Sequence, residues 1–198
     1  MKGVKNVTNK KAINKMIFAA LFLALALILP FLGGQIPEIN SVFCPMHIPI
    51  FLCGFICGWR WGVTVGFASP LLRSLIFGFP VFYPVAVTMA FELAAYGLIT
   101  GLMKELLPKK RGYIYCSLIV AMIIGRVCRT VAMIACSAIV GNSFIFSTFM
   151  TGVILKSIPG MIAHLIIVPI AITLIDKAAL KYKSKEKTSY TESTKTQK

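Results

Sequence analysis

Charge is scarce in this chain: only 14% of its 198 residues are Asp, Glu, Lys or Arg, where a water-soluble domain carries about a quarter. Acid is scarcer still, with six Asp and Glu residues against 21 Lys and Arg. With hydrophobic residues at 58% and a mean hydropathy of +0.84, these shortages exclude a soluble globular domain. The alternating polar and apolar pattern of a membrane barrel is also missing. The backbone must then satisfy its own hydrogen bonds within helices, and the expected class is an all-α integral membrane protein.

Motifs of catalysis are lacking too. The sequence has no GxxxxGK[ST] phosphate loop, no HExxH, no GxSxG and no paired aspartates for metal-assisted chemistry. The chain is expected not to be an enzyme, and any ATP hydrolysis coupled to it must come from other subunits. No cofactor is implied. Six cysteines (Cys44, Cys53, Cys57, Cys116, Cys128, Cys136) fall mostly inside apolar runs, where a thiol acts as a small apolar side chain, so no disulfides are expected. The cluster Cys44, Met46, His47, Cys53 and Cys57 has ligands that suit copper or zinc, but its spacing matches no established zinc framework and cations lie nearby, so no metal site is assigned.

What is present is a series of long apolar runs. At about 20 residues per span, they predict six transmembrane helices: Met16–Leu32, Met46–Gly58, Trp61–Phe77, Val81–Met103, Tyr113–Val140 and Phe149–Ile175. The second and third read as a hairpin joined by "GWRWG". The first has neither the flanks nor the cleavage site of a discarded signal peptide. One membrane domain is expected over 1–178, with a polar and disordered tail over 179–198. Seventeen of the 21 Lys and Arg residues lie before the first span, in the second-to-third and fourth-to-fifth connections and in the tail. The opposite loops have none, so the positive-inside rule puts both termini in the cytoplasm. The formal net charge of +15 is thus a topology signal and an attraction to anionic lipid rather than a nucleic-acid footprint.

Four cations remain inside the spans: Arg73, Arg126, Arg129 and Lys156. Helical rise places Arg73 about 9 Å below the outer membrane end of its span, with Lys156 at a similar depth, and Arg129 and Arg126 roughly 16 to 21 Å below theirs. Glu92 is the matching anion. A lone charge at mid-span costs ~2.5 to 3.5 kcal/mol on the insertion scale, so four unpaired ones would require roughly 10 kcal/mol. Arg126 and Arg129 share a helical face with Met122, Thr130, Met133 and Ser137. The expectation is a polar stripe facing a pocket open to the outside, with an anionic ligand completing the pairing. A structural alternative stands beside it, in which the cations bond carbonyls freed near prolines or snorkel to an interface. His164 reads as packed rather than functional.

Small residues mark close helix approach. Ala20 and Ala24 form an AxxxA on the first span, giving a flat strip for another helix. Gly54, Gly58, Gly62 and Gly66, with Gly97 and Gly101, suggest tight packing within the hairpin together with a tight turn.

Six spans, the AxxxA, a long outer loop after the first span, and the stretch "MHIPIFLCGFICGWRWGVTVGFASPLLRSLIFGFPVFYPVAVTMAFELAAYGLITGL" together resemble the substrate-binding S components of energy-coupling factor transporters. The resemblance covers roughly residues 12–178. It implies a bacterial cell-membrane protein that captures a vitamin or related micronutrient at the outer face, while a membrane scaffold subunit and two ATPase subunits drive its release inward. It also implies that Ala20 and Ala24 contact the scaffold, and that the loop 33–47, with Pro37, Glu38 and Asn40, covers the pocket. The expected substrate-binding residues are Arg126, Arg129, Arg73, Glu92 and Lys156. Their cation excess favours a carboxylate- or phosphate-bearing ligand; an aromatic-poor setting around the arginines favours pantothenate, while Phe79, Phe82, Tyr83, Phe144 and Phe146 in the outer loops keep an aromatic vitamin open. The other functions weighed are a stand-alone channel or metal-ion transporter and an intramembrane enzyme or assembly factor.

Overall fold

The computed structural model describes residues 2–32, 44–107, 112–140, 159–175 and 177, and these fold into helices without a strand among them. The elements are α1 (Lys2–Leu32), α2 (His47–Cys57), α3 (Trp59–Phe77), α4 (Val87–Leu106) and α5 (Tyr113–Val140), followed by α6 (Pro159–Ile175). Among the described residues, three stretches are long and apolar enough to cross a membrane: Ala12–Phe31, Phe82–Leu106 and Tyr113–Ala138. The bounds of α2, the start of α3 and the end of α4 differ from the sequence expectation by one to three residues, and two differences are larger. Helix α1 begins at Lys2, so its basic segment continues the membrane rod. A wide π-type turn, Phe82–Ala86, precedes α4, with Tyr83 extended at φ −119°, ψ 133°. The expected start of the sixth span at Phe149 and the tail 179–198 lie outside the described residues.

Local chemistry sets the breaks. Gly58 has φ 95°, a backbone open to glycine at little cost, and it alone separates α2 from α3. Gly78, at φ 70°, ends α3 in the left-handed conformation, and its N–H donates to the Ser74 carbonyl. Leu107 is extended at φ −90°, ψ 136°, as expected of a residue preceding a proline, here Pro108.

Helix α4 is the hub, packing against α2, α3 and α5, while α1 lies across α2 and α3. The glycines explain how the helices come so close. A Cβ on Gly62 would stand 2.6 Å from the Gly97 carbonyl oxygen, and one on Gly97 would run into the Gly62 carbonyl. Likewise Gly66 meets the backbone of Leu93, and Gly101 that of Trp59. The glycine series therefore joins the α2–α3 pair to α4, rather than acting mainly within the hairpin. The core includes Phe22, Ile50, Phe51, Leu93, Leu118 and Val168. Outside, Ile123, Val127, Val131 and Ile134 of α5 and Ile166, Ile170 and Leu174 of α6 are exposed, as lipid-facing stripes at helical spacing should be.

Candidate functional site

Glu92 lies on α4, about 7.5 Å along the axis from Val87, and is 0% exposed. Arg129 Nη1 donates to its Oε2 at 2.7 Å, and the Tyr96 hydroxyl donates to its Oε1 at 2.7 Å. Arg126 Nη1 stands 3.5 Å from the same Oε1. Both arginines come from the inward face of α5, flanked by the buried Met122 and Met133 and opposite the lipid-facing stripe. One carboxylate thus bridges two guanidiniums, which offsets part of the penalty for charge at membrane depth. The Arg126 side chain is 20% exposed and that of Arg129 10%, so Arg126 is the more open of the two.

Tyr96 follows Glu92 by four residues and so lies one turn along the same face. Its ring is seated by Gly125, where an added Cβ would strike the ring carbons. Phe51 packs against Tyr96 with ring centroids 4.8 Å apart, and His47 lies at 5.4 Å. His164 of α6 stacks on His47 at 5.4 Å with an interplanar angle of 27°. The two imidazoles converge on the Cys44 carbonyl, His47 through Nδ1 at 3.0 Å and His164 through Nε2 at 3.3 Å. His47 Nε2 is buried without a hydrogen-bond partner among the described residues. At the outer rim, the Tyr83 hydroxyl donates to the Cys136 carbonyl at 2.8 Å and so ties the wide turn to α5.

The expected site residues divide. Glu92, Arg126 and Arg129 come together. Arg73 is elsewhere: its Nη1 donates to the Leu27 carbonyl of α1 at 2.7 Å, and its guanidinium lies 5.1 Å from the Phe31 ring and 5.8 Å from the Phe77 ring. Pro30 lacks the N–H that the Ala26 carbonyl next to Leu27 would accept, so the helical ladder is loosened in this turn of α1. Lys156 lies outside the described residues, as do Pro37, Glu38 and Asn40. Ala20 and Ala24 are exposed on α1, while Ala19 and Ala26 face the core. Among the described residues no group of three or more His, Cys, Asp or Glu side chains could hold a metal.

Sequence reasoning did not single out Phe51, Tyr96 or Gly125, whereas His164, read as packed, is indeed buried at 4% exposure. It packs near the start of α6 against the Cys44 carbonyl and the His47 ring. The supposed scarcity of aromatic groups near the arginines is corrected as well, because Tyr96 bridges Glu92 to a cluster of four rings. Two signals could have revealed this: a Glu and a Tyr four apart in an apolar span, and a glycine immediately before Arg126.

The thiamine transporter ThiT of Bacillus subtilis (strain 168) is similar to this chain, with 28% identity over 147 residues that cover 70% of this chain and 76% of the relative. No solved structure matches. The family described as "ECF transporter, substrate-specific component" matches residues 14–172, and these residues span α1 to α6 with the Glu92 cluster at their centre. The chain belongs to the family of substrate-specific components of ECF transporters, the membrane-embedded subunits that bind the transported solute.

Proposed function

We propose that this subunit captures a vitamin or related micronutrient at the outer face of the cell membrane and delivers it inward, with energy from a membrane scaffold subunit and two ATPase subunits. The observation that supports this reading is the buried trio of Glu92, Arg126 and Arg129 beside the cluster formed by His47, Phe51, Tyr96 and His164. Among the described residues, two guanidiniums gather on one carboxylate, and this cationic setting favours a ligand with a carboxylate or phosphate. The planar fork of Arg126 suits bidentate pairing with either group. Pantothenate meets the charge requirement. The four rings extend the candidates to anionic vitamins that carry a heterocycle. Arg73 serves to lock α3 to α1, and Ala20 and Ala24 offer the strip on which the scaffold docks.

A second reading has its own support. The similar Bacillus protein is named a thiamine transporter, and thiamine is a cation, for which Glu92 rather than the arginines would be the counter-ion. Mass spectrometry of the small molecule that copurifies with the chain, followed by titration with that compound, tests both. An anionic vitamin supports the first reading and thiamine the second. A purified protein that takes up solute in vesicles without any partner ATPase would overturn the energy-coupled function altogether.

A further inference from the structure

A cavity lies toward the other end of α4 from the Glu92 cluster. It has a volume of about 520 Å³ and is lined by Lys15 of α1, by Trp59, Arg60 and Trp61 at the start of α3, by Cys57 and by Glu105 near the end of α4. The positive-inside rule puts this end at the cytoplasmic surface. Among the described residues Lys15, Arg60 and Glu105 form no ion pair with one another, although all three charges line one cavity. The Arg60 guanidinium instead lies 5.3 Å from the Trp59 ring. Just above it, α1 exposes Ile13, Met16 and Ile17, so the cavity opens at the boundary between apolar and aqueous phases, where tryptophan rings partition.

We propose that this cavity binds the headgroup of an anionic phosphoglyceride from the inner leaflet. Lys15 and Arg60 take the phosphodiester, and the Glu105 carboxylate accepts a hydrogen bond from a headgroup hydroxyl, which points to phosphatidylglycerol rather than a bare phosphomonoester. Charge complementarity supports this occupant: two cations and one carboxylate leave a single positive excess against the single negative charge of a phosphodiester. Trp59 and Trp61 flank the glycerol region. None of the three charges of the Glu92 cluster is involved.

The chain's two tryptophans both line this cavity, so their fluorescence reports on it alone. The full chain is placed in bilayer discs of phosphatidylcholine containing a varied fraction of phosphatidylglycerol brominated on its acyl chains, and quenching is measured. The expected result is an apparent preference of about fivefold over the bulk lipid fraction, which falls to no preference in the Lys15→Gln, Arg60→Gln double variant. Both side chains are exposed, and an unchanged melting temperature in pure phosphatidylcholine checks that the variant is folded. Quenching in the wild type that only follows the bulk fraction overturns the proposal, as does a preference that persists in the double variant. If millimolar inorganic phosphate abolishes the preference, the site takes free phosphate and the lipid assignment fails. If a polyglutamate peptide shifts the fluorescence in phosphatidylcholine while the brominated lipid shows no preference, the cavity receives an acidic protein segment instead.

Discussion

Replacing Glu92 by Gln tests both the stability of the charge cluster and the sign of the cargo. The amide keeps one acceptor oxygen for Arg129 or Tyr96 but removes the negative charge that faces Arg129 at 2.7 Å and Arg126 at 3.5 Å. Breaking a buried ion pair by neutralising one partner costs about 3 to 5 kcal/mol, and the retained acceptor puts this variant near the lower figure. For a domain of this size, ~3 kcal/mol corresponds to a fall in melting temperature of roughly 6 to 12 °C. The assay is a thermal melt in detergent, run with and without the copurifying vitamin. If the cargo is anionic, it supplies in the variant the negative charge that Glu92 gave the two guanidiniums. Its affinity should then be retained or raised, and the ligand should restore more melting temperature in the variant than in wild type. If the cargo is thiamine, the variant should lose about 10- to 100-fold in affinity with its charged partner gone. A ligand-free variant that melts within about 1 °C of wild type would refute the premise that Glu92 neutralises these arginines.

Four further outcomes follow from the geometry. Arg126→Ala should weaken an anionic ligand by roughly 10- to 100-fold with a smaller loss of stability than Arg129→Ala, which removes the 2.7 Å contact; equal affinity for ligand in both variants and wild type, measured by calorimetry, would return the pair to a structural role. Arg73→Met should lower stability by about 1.5 to 3 kcal/mol through loss of the bond to the Leu27 carbonyl while leaving ligand affinity unchanged, so a shift in affinity argues for contact with the ligand after all. Ala20→Trp, on an exposed face of α1, should leave solute binding intact and abolish uptake by the assembled transporter, because a bulky side chain prevents close helix approach; lost binding in the isolated subunit counts against this. Gly97→Ala should cost about 1 to 3 kcal/mol through overpacking against the Gly62 carbonyl, and an unchanged denaturation midpoint would mean that α3 and α4 can separate freely.

The helices were legible because length and apolarity are properties of contiguous sequence. Helix α5 matches the expected bounds, Tyr113–Val140, since a long apolar run bounded by a Lys/Arg-rich loop leaves little freedom. The start of α4 was less clear, because Pro80 and Pro84 and the aromatic residues between them have the same hydropathy as a span. Their backbone consequence, a wide turn around an extended Tyr83, is local geometry that apolarity does not encode. The glycine ladder was visible as a pattern, but not its partner. A four-residue repeat indicates that something approaches closely, and only the fold brings Gly62 against Gly97 and Gly101 against Trp59.

The site shows the same division between what stands out along a chain and what only space can join. A charge in an apolar run stands out because its burial is costly unless it is paired, and so Glu92, Arg126 and Arg129 were identified and do meet. An aromatic residue in such a run carries no corresponding penalty, and Tyr96 and Phe51 looked like ordinary core. Their role emerges through Gly125: with no side chain there, the Tyr96 ring fits against α5, and its hydroxyl reaches Glu92 at 2.7 Å. Arg73 shows the limit of reasoning from penalties. Its charge required a partner, and the sequence offered Glu92, but a carbonyl of α1 one turn before Pro30 provides one at 2.7 Å together with the faces of two phenylalanine rings. Burial of a cation therefore predicts that it is satisfied, not that a ligand satisfies it. Ligand contact is better argued for Arg126, which is 3.5 Å from a carboxylate that Arg129 already holds more closely, and whose side chain is twice as exposed.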